Sequence, residues 1–175
     1  RTNSWPSPVA SPERQGPPPL TMAAARGEYG PGLHIVGVIG SPVAHSLSPL
    51  LHNTAFAALG LGDRWRSFAF EVAPGQAAAA LETMRSEDVT GLSVTMPHKA
   101  DVAELVDDCS DVARLLGAVN CLHQNKGRLF GTNTDGEGFV ASLVRGAALE
   151  SAGKRCMVIG AGGAARAVIL SLIHI

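Results

Sequence analysis

From residue 33 onward, short runs rich in β-branched residues alternate with helix-like stretches, and few folds accept that order. LHIVGVIG (33–40) reads as a buried strand ending on glycine. SPLLHNTAFAALG (48–60) reads as a helix: Ser48 is a good N-cap, Pro49 a good first helical residue and Gly60 a good stop. Its helical face is expected at Leu50, Leu51, Thr54, Ala55, Ala58 and Leu59. RWRSFAFEV (64–72) alternates as a strand, PGQAAAALETMRS (74–86) is a helix opened by proline, and VTGLSVTM (89–96) is a third strand. A helix is expected from Pro97 to about Leu105, and a short one over 109–117, closed by Gly117. Residues 118–125 and 127–134 read as a hairpin around Asn125-Lys126-Gly127. A helix over 135–147, a strand at KRCMVIG (154–160) and the start of a helix at 162–170 complete the series. Such alternation predicts an α/β sandwich on a mainly parallel sheet, with the hairpin turning one strand antiparallel. ESAGK (150–154) reads as a boundary with a second α/β unit behind it.

Composition removes several classes of function. With 46% hydrophobic and 17% charged residues, the 175-residue chain has material for a packed core. A net charge of −1 and 5% aromatic residues point to no nucleic-acid partner and no anionic membrane surface. No apolar run reaches the roughly 18 residues of a membrane span. Cys109, Cys121 and Cys156 lie far apart without a CxxC, which fits a reducing, cytoplasmic compartment. The six histidines form no HxxxH pair, so no metal site is expected. Residues 1–32 differ from the rest: RTNSWPSPVASPERQGPPPL holds most of the prolines and has no apolar period. They are expected to form a disordered or non-native extension, with Met22 as the natural start.

Five strings carry chemistry. GSPVAHSLSP (40–49) follows a strand, where open α/β sheets bind ligands, and the hydroxyls of Ser46 and Ser48 could grip a carboxylate; capping by Ser48 is the alternative. In GLSVTMPHKA (91–100), Lys99 stands in the first turn of a helix, where the helix dipole disfavours its charged form and suits it to proton transfer. GAVN (117–120) places an amide, Asn120, that both donates and accepts. In GTNTDGEGF (131–139), Asp135 either caps a helix or holds a lysine ammonium and shares its proton work. VIGAGGAAR (158–166) has the strand–turn–helix context of a dinucleotide site, with glycines that let a backbone approach a pyrophosphate.

The order SxS, VTxPxK, GAVN, NTDGxGF, GAGGAxR resembles the shikimate dehydrogenase family over residues 33–170. The resemblance implies a three-layer αβα substrate domain at 33–152 with a mixed, mainly parallel sheet. Behind it, 153–175 would hold the first βα unit of a Rossmann domain. It implies NADP-dependent, reversible reduction of 3-dehydroshikimate to shikimate in aromatic amino-acid biosynthesis. Ser46 and Ser48 would hold the substrate carboxylate, and Thr95, Asn120 and Asp135 the ring hydroxyls. Lys99 would be the catalytic acid/base with Asp135 as partner, a carboxylate that holds the ammonium in place. Gly160, Ala161, Gly162, Gly163 and Ala164 would form the pyrophosphate turn, with Arg166 just inside the helix and Asp111 near the cofactor. A homodimer is the expected assembly of the full-length enzyme.

Two departures from the family pattern matter. Ser93 stands where many members carry asparagine, which keeps a quinate/shikimate or an aminoshikimate dehydrogenase as alternatives. The segment that would read the adenosine ribose, about 20 residues past the glycines, is not in the chain. The expectation is therefore a fragment that binds shikimate without turnover; a stand-alone ligand-binding module is the alternative of another class. LSLIHI (170–175) departs from the Ala-rich helix before it and is expected to be foreign, adapter-derived sequence.

Overall fold

The computed structural model describes residues 20–173. In chain order its elements are α1 (Met22–Tyr29), β1 (His34–Gly40), α2 (Ser48–Ala58), β2 (Trp65–Glu71), α3 (Ala77–Ser86), β3 (Gly91–Val94) and α4 (Lys99–Leu105). There follow β4 (Asp108–Cys109), α5 (Asp111–Leu116), β5 (Cys121–Asn125), β6 (Arg128–Thr132), α6 (Asp135–Ala147) and α7 (Gly163–Ile173). Six strands form one mixed sheet in the order β2-β1-β3-β5-β6-β4. Only the pairings of β5 with β3 and β6 are antiparallel. The two-residue turn between β5 and β6 explains that reversal: Lys126 and Gly127 have φ of 51° and 78°, the left-handed pair whose twist suits a hairpin.

Alternation along β1 separates two faces. Ile35 and Ile39 point into the main core with Phe70, Leu92 and Val94. α3 supplies Ala77, Ala80, Leu81 and Met84 to that core, a stripe at helical spacing. Gly37 belongs to this face because a Cβ there would stand 2.4 Å from the Phe70 ring. On the opposite face lie Val38 and Ser93, which sit side by side in the β1–β3 register. α2 covers that side at the β2 edge, giving the three-layer arrangement.

α2 docks differently from expectation. Ser48 is its first helical residue, not its cap; the cap position is Leu47, which has no side-chain bond. The residues expected to face inward are exposed instead, with Leu50 and Leu51 at 64% and 65%. The inward side is polar. The Asn53 side chain donates to the Ser67 carbonyl at 2.9 Å and accepts from the Ser67 amide at 2.8 Å. His52 Nδ1 lies 3.0 Å from Ser67 Oγ. β2 is an edge strand, so its outward backbone groups need partners, and Asn53 supplies the pair that a further strand would. Edge satisfaction outranked the apolar period in setting the helix's rotation.

Other differences are local. The expectation of no structure over 1–32 fails at 22–29, where α1 buries Met22 and Ala25 in the core; residues 1–19 lie outside the described residues. Arg26 locks α1 in place by donating to the carbonyls of Glu87, Asp88, Gly30 and Leu33. α4 starts at Lys99, not Pro97, because Thr95 to His98 close a turn in which the His98 amide donates to the Thr95 carbonyl at 3.1 Å. The helix expected over 109–117 begins at Asp111, behind Ser110, whose hydroxyl accepts from the Ala113 amide. KRCMVIG (154–160) pairs with no strand among the described residues and exposes Met157 and Ile159 at 88% and 91%. A strand exists only by pairing, and none of the six strands pairs with this run. α7 continues without a break through residues 170–173, while 174 and 175 lie outside the described residues.

Candidate active site

The chain leaves β1 toward β2 on one side and later returns to β3 on the other, so the strand order reverses between β1 and β3. Crevices at such a point, beyond the carboxyl ends of the strands, are where α/β sheets bind ligands. The segments of interest meet there. The loop after β1 carries Ser46 and Ser48, and the turn after β3 carries Thr95 and Lys99. β5 runs the other way, so Asn120, just before it, reaches the same edge; Asp135 arrives two residues beyond Asn133 at the start of α6. All six expected substrate residues line one cleft of about 430 Å³, with Val38, Pro42, Val43, His45, Ser93, Val94 and Met96.

Lys99 and Asp135 form the polar centre. Lys99 Nζ stands 2.5 Å from Asp135 Oδ2, with side chains 19% and 24% exposed. The other carboxylate oxygen, Oδ1, accepts from Asn120 Nδ2 at 2.7 Å. Asn120 is itself held, since its Oδ1 accepts from the Thr134 amide at 3.0 Å. The Lys99 carbonyl accepts from the Val119 amide at 2.9 Å, which ties the lysine's backbone to the same segment. Ser46 Oγ accepts from the Ser48 amide at 3.3 Å, so the two hydroxyl-bearing residues form one small unit on the other wall. Gly40 permits this closeness: a Cβ there would meet Thr95 Cγ2 at 2.4 Å.

The arrangement pairs a proton-bearing amine with a carboxylate, beside hydroxyl and amide groups that suit a small polyhydroxylated acid. The carboxylate's second oxygen is occupied, so Asp135 is oriented toward Lys99 rather than free to turn away.

The glycine turn lies against this centre. A Cβ at Gly163 would stand 3.6 Å from Lys99 Cδ and 3.5 Å from Ala118 Cβ. Gly160 has φ of 125°, a conformation that glycine alone adopts readily, and Gly162 has nothing within 4 Å of where a Cβ would stand. Gly160, Ala161, Gly162 and Ala164 are exposed at the head of α7. Space, open backbone and a helix N-terminus fit a pyrophosphate. Asp111 does not join this group. It lines a second cavity, of about 370 Å³, with Leu170 and Ser171 farther along α7. Arg166 is directed to the end of α5, with Nη1 3.8 Å from where a Gly117 Cβ would stand.

Three contributors escaped the sequence reading. Asn133 is buried; its Nδ2 donates to the Ala118 carbonyl at 3.0 Å and its Oδ1 accepts from the Asp135 amide at 3.1 Å. An asparagine bonding the backbone two residues on is a known turn device, so the NTD spacing held that signal. Glu71 accepts from the Val43 amide at 2.9 Å and braces the serine loop. His98 is fully buried beside Lys99. Among the described residues there is no group able to hold a metal ion, and no helix is long and apolar enough to cross a membrane.

Fold and site together define an α/β domain whose polar cleft lies beside a glycine-rich turn at a helix N-terminus. The family model described as shikimate dehydrogenase substrate binding domain matches residues 38–122. The shikimate dehydrogenase (NADP(+)) of Geobacillus kaustophilus is 48% identical over 139 residues, covering 79% of this chain and 50% of that protein. The one from Symbiobacterium thermophilum is 49% identical over 144 residues, covering 82% and 47%. The crystal structure of shikimate 5-dehydrogenase from Thermus thermophilus in complex with NADP(H) and shikimate gives a TM-score of 0.75 at 37% identity, covering 81% of this chain and 52% of that one. The chain belongs to the shikimate dehydrogenase family. It spans about half the length of the curated relatives it matches.

Proposed function

We propose that this protein is an NADP-dependent shikimate dehydrogenase that reversibly reduces 3-dehydroshikimate to shikimate. The observation that carries the reading is the 2.5 Å contact between Lys99 and Asp135 in a cleft shared with Ser46, Ser48, Thr95 and Asn120. Residues 33–152 are the substrate domain in this reading, and 153–175 open the nucleotide domain. Ser46 and Ser48 hold the ring carboxylate, while Thr95, Asn120 and Asp135 take ring hydroxyls. In the reducing direction, the Lys99 ammonium gives its proton to the carbonyl oxygen, which becomes the ring hydroxyl; in the oxidising direction the amine takes it back. NADPH, held at residues 160–164, supplies the hydride. Asp135 keeps the amine aimed at that oxygen. Three free cysteines support a cytoplasmic enzyme. The expected homodimer belongs to the same proposal and is read by sedimentation of the whole enzyme.

The test is turnover by the protein expressed from its complete gene. Shikimate should support NADP reduction well above quinate, and above the same reaction with NAD. Shikimate binding with no turnover would replace the reading with a ligand-binding module, and a preference for quinate would replace the substrate. Ser93 sharpens the comparison because it faces the cleft with a short side chain. Ser93→Asn is expected to lower the KM for shikimate about two- to tenfold, one added hydrogen bond, with kcat unchanged. Steady-state kinetics of the two proteins side by side checks it.

A further inference from the structure

His98 is a buried polar residue that the chemistry above does not use. Its ring is fully inaccessible, and Nε2 lies 2.7 Å from the Val72 carbonyl oxygen. A carbonyl only accepts, so the proton sits on Nε2 and Nδ1 is left as an acceptor. No donor among the described residues reaches Nδ1. Burying a bare acceptor is unfavourable, and an apolar ring of like size would avoid it. What the imidazole provides here, and a phenyl ring would not, is the bond to Val72.

That bond joins the two walls of the cleft. Val72 follows the last residue of β2, and its amide donates to the Gly40 carbonyl at 3.1 Å, at the root of the serine loop. Glu71, one residue earlier, accepts from the Val43 amide in the same loop. On the other side, His98 closes the turn from Thr95 and is the cap residue directly before Lys99. Besides the bond from the Ser41 amide to the Met96 carbonyl at 3.0 Å, where the two segments leave their paired strands, the link from the serine loop to the residue before the lysine runs through Val72 and one imidazole. We propose that His98 is a positioning residue that sets the distance across the cleft between the Ser46–Ser48 hydroxyls and the Lys99–Asp135 pair. The proposal rests on the reading of the cleft as a shikimate site.

Two amide replacements separate this role from plain packing. Gln carries its side-chain nitrogen three bonds from Cβ, as the imidazole carries Nε2, and so reaches Val72. Asn carries it two bonds away and does not, yet Asn caps helices well and keeps the start of α4. His98→Asn should weaken shikimate binding by calorimetry about tenfold, and His98→Gln should stay near wild type. The second readout is the Lys99 ammonium in nitrogen-15 NMR, which is tractable because the chain has three lysines, Lys99, Lys126 and Lys154. The partly buried, Asp135-bound ammonium should give a protected signal in wild type and His98→Gln, and lose that protection in His98→Asn. Wild-type binding and an unchanged lysine signal in His98→Asn would overturn the proposal, as would equal losses in both variants. If wild type itself fails to bind shikimate, the function assigned to the cleft falls, while the lysine signal still decides whether His98 positions the pair.

Discussion

In the protein expressed from its complete gene, Lys99→Ala is expected to lower kcat for shikimate oxidation by about 10²–10⁴-fold, the usual weight of a positioned acid/base, with a much smaller change in KM. The reasoning starts from what the substitution leaves behind. Asp135 keeps its Asn120 bond and its backbone anchor to Asn133, so the carboxylate stays in place for a ring hydroxyl. The serine loop is untouched, because its braces are Glu71 and the Gly40 carbonyl. Binding groups survive and the proton carrier is gone. Lys99→Arg tests whether charge alone suffices. It restores a cation beside Asp135 but one that does not release its proton near neutral pH, so kcat should remain as low as in the alanine variant. Steady-state kinetics and shikimate calorimetry on the three proteins check this. A Lys99→Ala enzyme with wild-type kcat removes the acid/base role, and recovery by arginine reduces the role to electrostatics.

What could be read from the chain beforehand divides along physical lines. Strands and the hairpin were legible because their signals are local: period-two alternation in 64–72, and a Lys-Gly pair that accepts positive φ. The cleft was legible because its residues sit in short strings whose order resembles a family, and all six meet in one cavity. The rotation of α2 was not legible. Six apolar or small residues gave a plausible inward stripe, but two polar side chains on the other side, His52 and Asn53, answer an edge strand whose place in the sheet is a tertiary fact. The strand at 154–160 is absent for a related reason, since a β-branched run is a strand only where another strand lies beside it, and that too is a tertiary fact. Asp111 was assigned to the nucleotide by resemblance alone; it opens α5 and lines a cavity with Leu170 and Ser171 of α7. Helix α1 was hidden because it buries only Met22 and Ala25, too few to show an apolar period, and its other anchor is one guanidinium that reaches four carbonyls.

The contact between α6 and α7 carries the other large expected effect. Asp135 opens α6, and the next residue, Gly136, is where the two helices touch. A Cβ at Gly136 would stand 2.0 Å from Ser171 Oγ and 2.6 Å from the Ala167 carbonyl oxygen. The serine can rotate away, but the backbone carbonyl cannot, so α7 has to shift. The glycine turn heads α7 and lies against the Lys99 stem, so that shift moves the nucleotide turn relative to the reacting pair. A displacement near 1 Å in a two-substrate site costs about 10²-fold in rate. Gly136→Ala should therefore lower kcat by about that factor and raise the KM for NADP. Shikimate affinity should change far less, because Ser46, Ser48, Thr95 and Asn120 belong to other elements. Gly138→Ala is the control. It lies two residues on in the same helix, is exposed and has nothing within 4 Å of a Cβ. There alanine should leave kinetics unchanged and stabilise the fold by about 0.5–1 kcal/mol through helix propensity. Equal kinetics in the two variants would mean that the α6–α7 crossing does not set the position of the nucleotide turn. A loss confined to Gly136→Ala, with shikimate calorimetry unchanged, would place the coupling between the substrate cleft and the nucleotide turn at the single residue that follows Asp135.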